Sequence, residues 1–110
     1  MSFDTEAWKR MRIFGSRRKF ERLVLRVVYT TRNAYGVPIQ AKVEELWGKP
    51  VRFASVYSAL DRLEERGYVE SWEGNPTVER AYYPKRYYAI TAEGEIALRE
   101  WVATDRRRSW

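Results

Sequence analysis

Cysteine and histidine are both missing from this 110-residue chain. Without cysteine there is no disulfide framework and no thiolate metal site; without histidine there is no imidazole ligand or imidazole base. The usual nucleophile and base of hydrolytic triads are lost with them, and no convergent pair of carboxylates stands out. Neither an enzyme nor a metal or cofactor site is therefore expected. No apolar run approaches the roughly 20 residues that a membrane helix needs. The opening MSFDTEAWKRMRIFG lacks the apolar stretch of a secretion signal. Internal repeats and low-complexity linkers are absent too. The expectation is one soluble domain in a reducing cytoplasm, without a membrane partner.

Positive charge is plentiful and unevenly spread. The formal net charge is +6, from 21 lysines and arginines against 15 acids. Between Lys9 and Arg32 the chain carries nine basic residues and a single acid, Glu21. The stretch from Lys42 to Glu73 is mildly acidic instead, and Arg106, Arg107 and Arg108 follow one another near the end. Clustered arginine suits a polyanion, either nucleic acid or an anionic membrane surface. It also suits a solvated helix face or a basic arm.

Periodicity locates the elements. Residues 4 to 13 can form a short helix that Gly15-Ser16 ends. Phe20, Leu23, Val24, Val27 and Val28 fall at i, i+3, i+4, i+7 and i+8, one face of a helix that closes near Asn33 and Gly36. Gly36-Val37-Pro38 opens a second helix with the stripe Ile39, Val43, Leu46 and Trp47, ended by Gly48 and Pro50. Val51-Arg52-Phe53 reads as a candidate small strand. A third helix carries Val56, Ala59, Leu60 and Leu63. Gly67 suits the left-handed position after it, with Leu63 and Tyr68 at the two places that touch in a Schellman cap. YVESWE and KRYYAIT then read as a hairpin around the loop GNPTVERAYYP. Thr91 caps a last helix, with Glu93 and Glu95 near its positive end and Leu98, Trp101 and Val102 as its apolar stripe.

Two short helices followed at once by a hairpin make a winged helix-turn-helix. The fold class is mainly α with a small β-hairpin wing, and the last helix serves dimerisation. Residues 1–17 form a basic segment, 18–91 the winged helix, and 92–110 the dimerisation helix with a basic tail. The third helix is the one expected to enter the major groove. Ser55, Ser58 and Arg62 lie opposite its core face, with Tyr57 and Asp61 flanking. A recognition helix docks its N-terminal end against bases, where the helix dipole favours phosphate. Neutral hydroxyls fit that end. Glu64 and Glu65 are tolerable two turns further on, where Arg66 can pair with them. An ordinary amphipathic helix would show the same periodicity, so the neighbours carry the specificity.

Those neighbours resemble the PadR family of transcriptional regulators. Tyr57-Ser-Ala-Leu-Asp-Arg-Leu-Glu-Glu-Arg-Gly67 with Tyr68-Val69 is similar to the family run Y-x-A-L-x-R-L-E-x-x-G followed by two hydrophobic residues. Tyr35-Gly36 resembles its aromatic-or-His-Gly opening of the second helix. Lys85-Arg86-Tyr87-Tyr88-Ala89-Ile90-Thr91-Ala92-Glu93-Gly94 resembles its wing strand. The likeness spans roughly residues 20 to 102 and points to the short-tailed subgroup. Val37-Pro38 and the basic segment Lys9 to Lys19 depart from the shared pattern.

The resemblance implies a homodimeric repressor on a near-palindromic operator in double-stranded DNA. It implies that Ser55, Tyr57 and Ser58 meet bases or phosphate and that Tyr35 approaches the backbone. Lys85 and Arg86, with Arg80 in the loop, would serve the wing, and Tyr88 would face inward beside Ile90. Leu98, Trp101 and Val102 need a partner, and a two-fold mate is the expected one, its interface completed by the first helix or by the N-terminal segment with Trp8. Trp101 reads first as dimer packing and second as a platform for a small aromatic effector. The competing class is a winged-helix module for binding proteins through the acidic face of Glu44, Glu45, Asp61, Glu64 and Glu65.

Overall fold

The computed structural model of the chain describes residues 17–31, 34–74 and 85–108, the side chains of 105–108 excepted. The expected helix at residues 4 to 13, Trp8, most of the basic segment, Arg80 and the side chains of the arginine tail lie outside the described residues.

Helix α1 (Arg17–Thr30), α2 (Gly36–Trp47) and α3 (Phe53–Glu65) precede strands β1 (Val69–Glu73) and β2 (Arg86–Ile90), and α4 (Ala92–Arg108) follows. The strands pair antiparallel, with Val69 opposite Ile90 and Glu73 opposite Arg86. Just ahead of α2, Tyr35 adds an isolated bridge to Tyr87, and the Tyr88 N–H donates to the Ala34 carbonyl at 2.8 Å. This short crossing ties the second helix to the wing. The order is that of a winged helix-turn-helix, mainly helical with a two-stranded wing.

Helix α1 is central and touches α2, α3, α4 and β2. It therefore buries more than the one stripe its periodicity suggests: Leu25 is as buried as Val24 and Val27. Ile39 and Val43 of α2 complete the core with Val56, Ala59, Leu60 and Leu63 of α3, and Val69 and Tyr88 close it from the wing. Two expectations are corrected. Leu46 is half exposed, because Val43 is the last buried residue of α2 and only Trp47 folds back, edge-on to Phe20 with ring centroids 5.3 Å apart. Val51-Arg52-Phe53 is not a strand: Phe53 already belongs to α3.

The junction between α3 and the wing forms as its residues dictate. Gly67 has φ of 80°, its N–H donates to the Glu64 carbonyl at 2.9 Å, and the Tyr68 N–H donates to the Leu63 carbonyl at 2.9 Å. These are the two bonds of a Schellman cap. Thr91 joins this junction to α4. Its hydroxyl donates to the Gly67 carbonyl at 2.6 Å and accepts from the Gly94 N–H at 3.0 Å, capping α4.

Tyr88 is 4% exposed, and burial raises its phenol pKa above the usual tyrosine value. The fold accommodates the neutral form. Its contribution to stability is complete below the unfolded value near 10.0 and is lost as pH rises through the folded one. Urea unfolding followed from about pH 8 to about pH 11 should show this alkaline loss, and Tyr88→Phe should flatten it. An unchanged slope in the variant would assign the loss to other groups.

Candidate nucleic-acid interface

The turn between α2 and α3 is fixed by side chains of α2. The Gln40 amide donates to the Val51 carbonyl at 2.8 Å, and the Val51 N–H donates to the Glu44 carboxylate at 2.9 Å. Gln40 also donates to Glu44 at 3.0 Å. Backbone groups that a strand at Val51 would have used are thereby satisfied, and the chain enters α3 at a set angle.

Helices α2 and α3 begin alike and unlike α4. Neither has a side-chain cap at its start, and neither has an acid in its first turn. Helix α4 has Thr91 as cap and Glu93 and Glu95 in its first turn. The positive end of α4 is thus neutralised within the fold, whereas α2 and α3 present theirs without internal compensation.

Tyr57 links these two starts. Its ring and hydroxyl lie directly on Gly36, where an added Cβ would collide with Oη and crowd Cζ. Tyr35, the residue before Gly36, meets Tyr87 edge-on at 5.6 Å, and Lys85 Nζ sits 4.3 Å above the Tyr35 ring. Tyr87 in turn stacks on Trp72 at 6.1 Å. The Tyr57 contact on Gly36 and the ring series of Tyr35, Tyr87 and Trp72 thus meet at adjacent residues at the head of α2. Arg86 is exposed at the far end of β2.

Ser55, Ser58 and Arg62 line a separate polar depression of about 600 Å³ along α3, which also takes in Arg52 and Arg17. Both serines are exposed. Arg62 is held from below: its Nε donates to Glu21 Oε2, in a carboxylate only 2% exposed. Arg66 Nη1 lies 3.4 Å from Glu21 Oε1 and Arg17 Nε lies 3.8 Å from Oε2. The Arg66 contact is a charge pairing without hydrogen-bond alignment, and Oε1 accepts no bond among the described residues. The expected pairing of Arg66 with Glu64 or Glu65 is replaced by this one, because a buried carboxylate outcompetes solvated ones for a cation. Glu64 instead accepts from Ser71 at 2.8 Å. Arg17 and Arg52 were not singled out by the sequence pattern; Arg17 belongs to the basic cluster between Lys9 and Arg32, whereas Arg52 stands in the mildly acidic stretch.

The apolar stripe of α4 is divided. Leu98 and Val102 line a groove of about 640 Å³ against Tyr29, Thr30 and Arg26 of α1. Trp101 faces elsewhere, edge-on to Tyr68 at 5.7 Å with the Arg22 guanidinium 5.0 Å above its ring. Among the described residues no helix is long and apolar enough to cross a membrane. The acidic face is partly used internally, Glu44 by Val51 and Gln40, Glu45 by Lys42 at 3.4 Å, and Glu64 by Ser71.

Comparison with known proteins fits this geometry. The model of the transcriptional regulator PadR-like family matches residues 24–100. The fold is similar to that of a PadR-like transcription factor from Bacteroides fragilis, at 22% identity and a TM-score of 0.73, covering 93% of this chain and 90% of that one. A PadR family transcriptional regulator from Eggerthella lenta aligns at 28% identity and a TM-score of 0.63, over 94% and 87% of the two chains. PadR of Bacillus subtilis, solved in complex with operator DNA, aligns at 20% identity and a TM-score of 0.64, over 77% of this chain and 47% of that one. No curated protein is detectably similar in sequence.

The Glu21 cluster and the Tyr57 contact are separately testable. Arg62→Met should cost about 3 kcal/mol in urea unfolding, because it takes the hydrogen-bonded guanidinium from a buried carboxylate and leaves only the longer pairings. Arg66→Met should cost less than about 1 kcal/mol, its side chain being 48% exposed. Equal losses would mean that Arg62 does not hold Glu21. Gly36→Ala should destabilise by about 1 to 3 kcal/mol through overpacking. Tyr57→Phe, which removes the nearest colliding atom, should recover about 1 kcal/mol of that loss; strict additivity of the two changes would refute the contact.

Proposed function

The chain belongs to the PadR-like family of transcriptional regulators, and from that premise we propose that it is a cytoplasmic, homodimeric repressor of a near-palindromic operator. It binds double-stranded DNA and catalyses nothing. Each subunit lays the start of α3 in the major groove. The observation that carries this reading is the charge layout of α3. Its first turn is free of acid and uncapped, Ser55, Tyr57 and Ser58 are exposed over its first two turns, and Glu64 and Glu65 stand at the other end. Hydroxyl donors and unpaired N–H groups suit base edges and phosphate, and nothing there repels a polyanion.

Around that helix the supporting contacts are positional. Tyr35 at the head of α2 approaches the backbone, and Lys85 and Arg86, with Arg80, carry the wing to phosphate or the minor groove. Arg62 positions α3 through Glu21 and lends its charge to the depression shared with Arg17 and Arg52. The two-fold mate packs on α4 beside α1, where Tyr29 is 54% exposed, Ile96 53% and Val102 42%. Side chains of this size, left open on neighbouring helices, favour burial against a second copy. Release by a small aromatic effector would act at Trp101, whose half-buried ring lines a depression of about 250 Å³ with Arg22, Arg66 and Tyr68.

Selection of bound duplexes from a random pool by the purified chain tests the reading. The expected motif is two-fold symmetric, with half-sites about 34 Å apart, one helical turn. Binding to it should weaken with salt, and Arg86→Ala should lessen the log–log slope by about 0.9, since one phosphate fewer is neutralised. A pool that yields no enriched motif would refute the proposal, and an asymmetric motif bound by a monomer would refute its dimer.

A further inference from the structure

Phe53 opens α3 and is 45% exposed. The core face of that helix is complete without it, in Val56, Ala59, Leu60 and Leu63. A large apolar ring at the leading end of a helix, outside the core and nearly half open to solvent, still has apolar surface to bury. Its ring partner among the described residues is Tyr57, one turn on, at a centroid distance of 6.4 Å with the planes inclined by 25°. Tyr57 is itself set by Gly36 beneath it. The Phe53 ring is therefore pre-positioned beside Tyr57 at the start of α3, and Arg52 precedes it.

The major groove offers one apolar group among its base edges, the 5-methyl of thymine. A phenyl ring has no hydrogen to give and no charge, so it can read neither a phosphate nor a donor–acceptor pattern. It can read a methyl group by burying it. The first turn of α3 holds no acid that would keep the ring from a duplex. We propose that Phe53, stacked on Tyr57, is a specificity-determining residue that contacts the thymine 5-methyl group in each operator half-site. The proposal rests on α3 being the helix that enters the major groove.

The test uses the full chain and the duplex selected from the random pool. Each thymine is replaced singly by deoxyuridine, which removes the methyl group and leaves base pairing intact. Binding should weaken about four-fold at one thymine per half-site, the worth of one buried methyl, and be unchanged elsewhere. Phe53→Ala should bind the thymine duplex less well and lose nothing further on the uridine change, with an unaltered salt slope. Because Phe53 is exposed, the variant should melt as the parent does; if it unfolds, the uridine scan on the parent chain still decides. A motif with no methyl-sensitive thymine, or methyl sensitivity that survives Phe53→Ala, overturns the assignment while leaving the regulator reading intact. Absence of any sequence-specific binding overturns that reading itself.

Discussion

A carboxylate that is 2% exposed must have cations beside it, and Glu21 takes its nearest one from α3. Glu21 is the lone acid in a stretch of nine basic residues, on the helix that contacts every other helix of the domain. Arg62 reaches it across 41 positions of sequence, and Arg66 approaches its second oxygen. The pair fixes the rotation of α3 about its axis. Arg62 shares a face of α3 with Ser55 and Ser58, and its long side chain crosses from the depression they line to reach Glu21. The charge layout of α3 has the same origin. Its basic residues are drawn to a buried acid, its acids at the far end are solvated or bonded to Ser71, and its start remains neutral.

Local chemistry was legible in the sequence wherever partners are a few residues apart. The Schellman cap at Gly67, the Thr91 cap of α4 and the stripe of α3 depend on spacing alone, and all three form as their spacing predicts. What escaped depends on reach. Arg62 sits at a helical angle that reads as solvent-facing, but a long side chain can cross to a neighbouring helix. Trp101 shares a stripe with Leu98 and Val102 by number, yet the width of its indole lets it fold toward Tyr68 instead. Val51-Arg52-Phe53 has strand composition, and only the distant Gln40 and Glu44 side chains decide that its backbone bonds go to a turn. Of the candidate site, the residues of α3 and the wing were legible. Arg17, Arg52 and Phe53 were not, because Arg17 reaches the site from α1, and Arg52 and Phe53 read as a small strand ahead of α3 rather than as its start.

Two constraints therefore hold α3, and they differ in kind. The ion pair with Glu21 anchors its middle to α1. The Tyr57–Gly36 contact anchors its start to α2, and the ring series through Tyr35, Tyr87 and Trp72 extends that anchor to the wing. Close-packed rings leave little slack, so the start of α3 and the wing behave as one surface. In the proposed docking, where both touch a duplex at once, less freedom would remain to be lost on binding.

The groove on α4 lies outside that surface, and α1 is the element common to both. Tyr29 and Arg26 of α1 line the groove, and Glu21 of the same helix lies under α3. Tyr29 and Glu21 are two turns apart on one continuous helix, so a shift of α1 that opens or fills the groove displaces the carboxylate as well. The displaced carboxylate bears on Arg62 and hence on the setting of α3, while the ring series still holds its start. A helix pinned at one end and moved at its middle must tilt. Glu21 thus lies between the α4 groove and α3, on the one helix that contacts both.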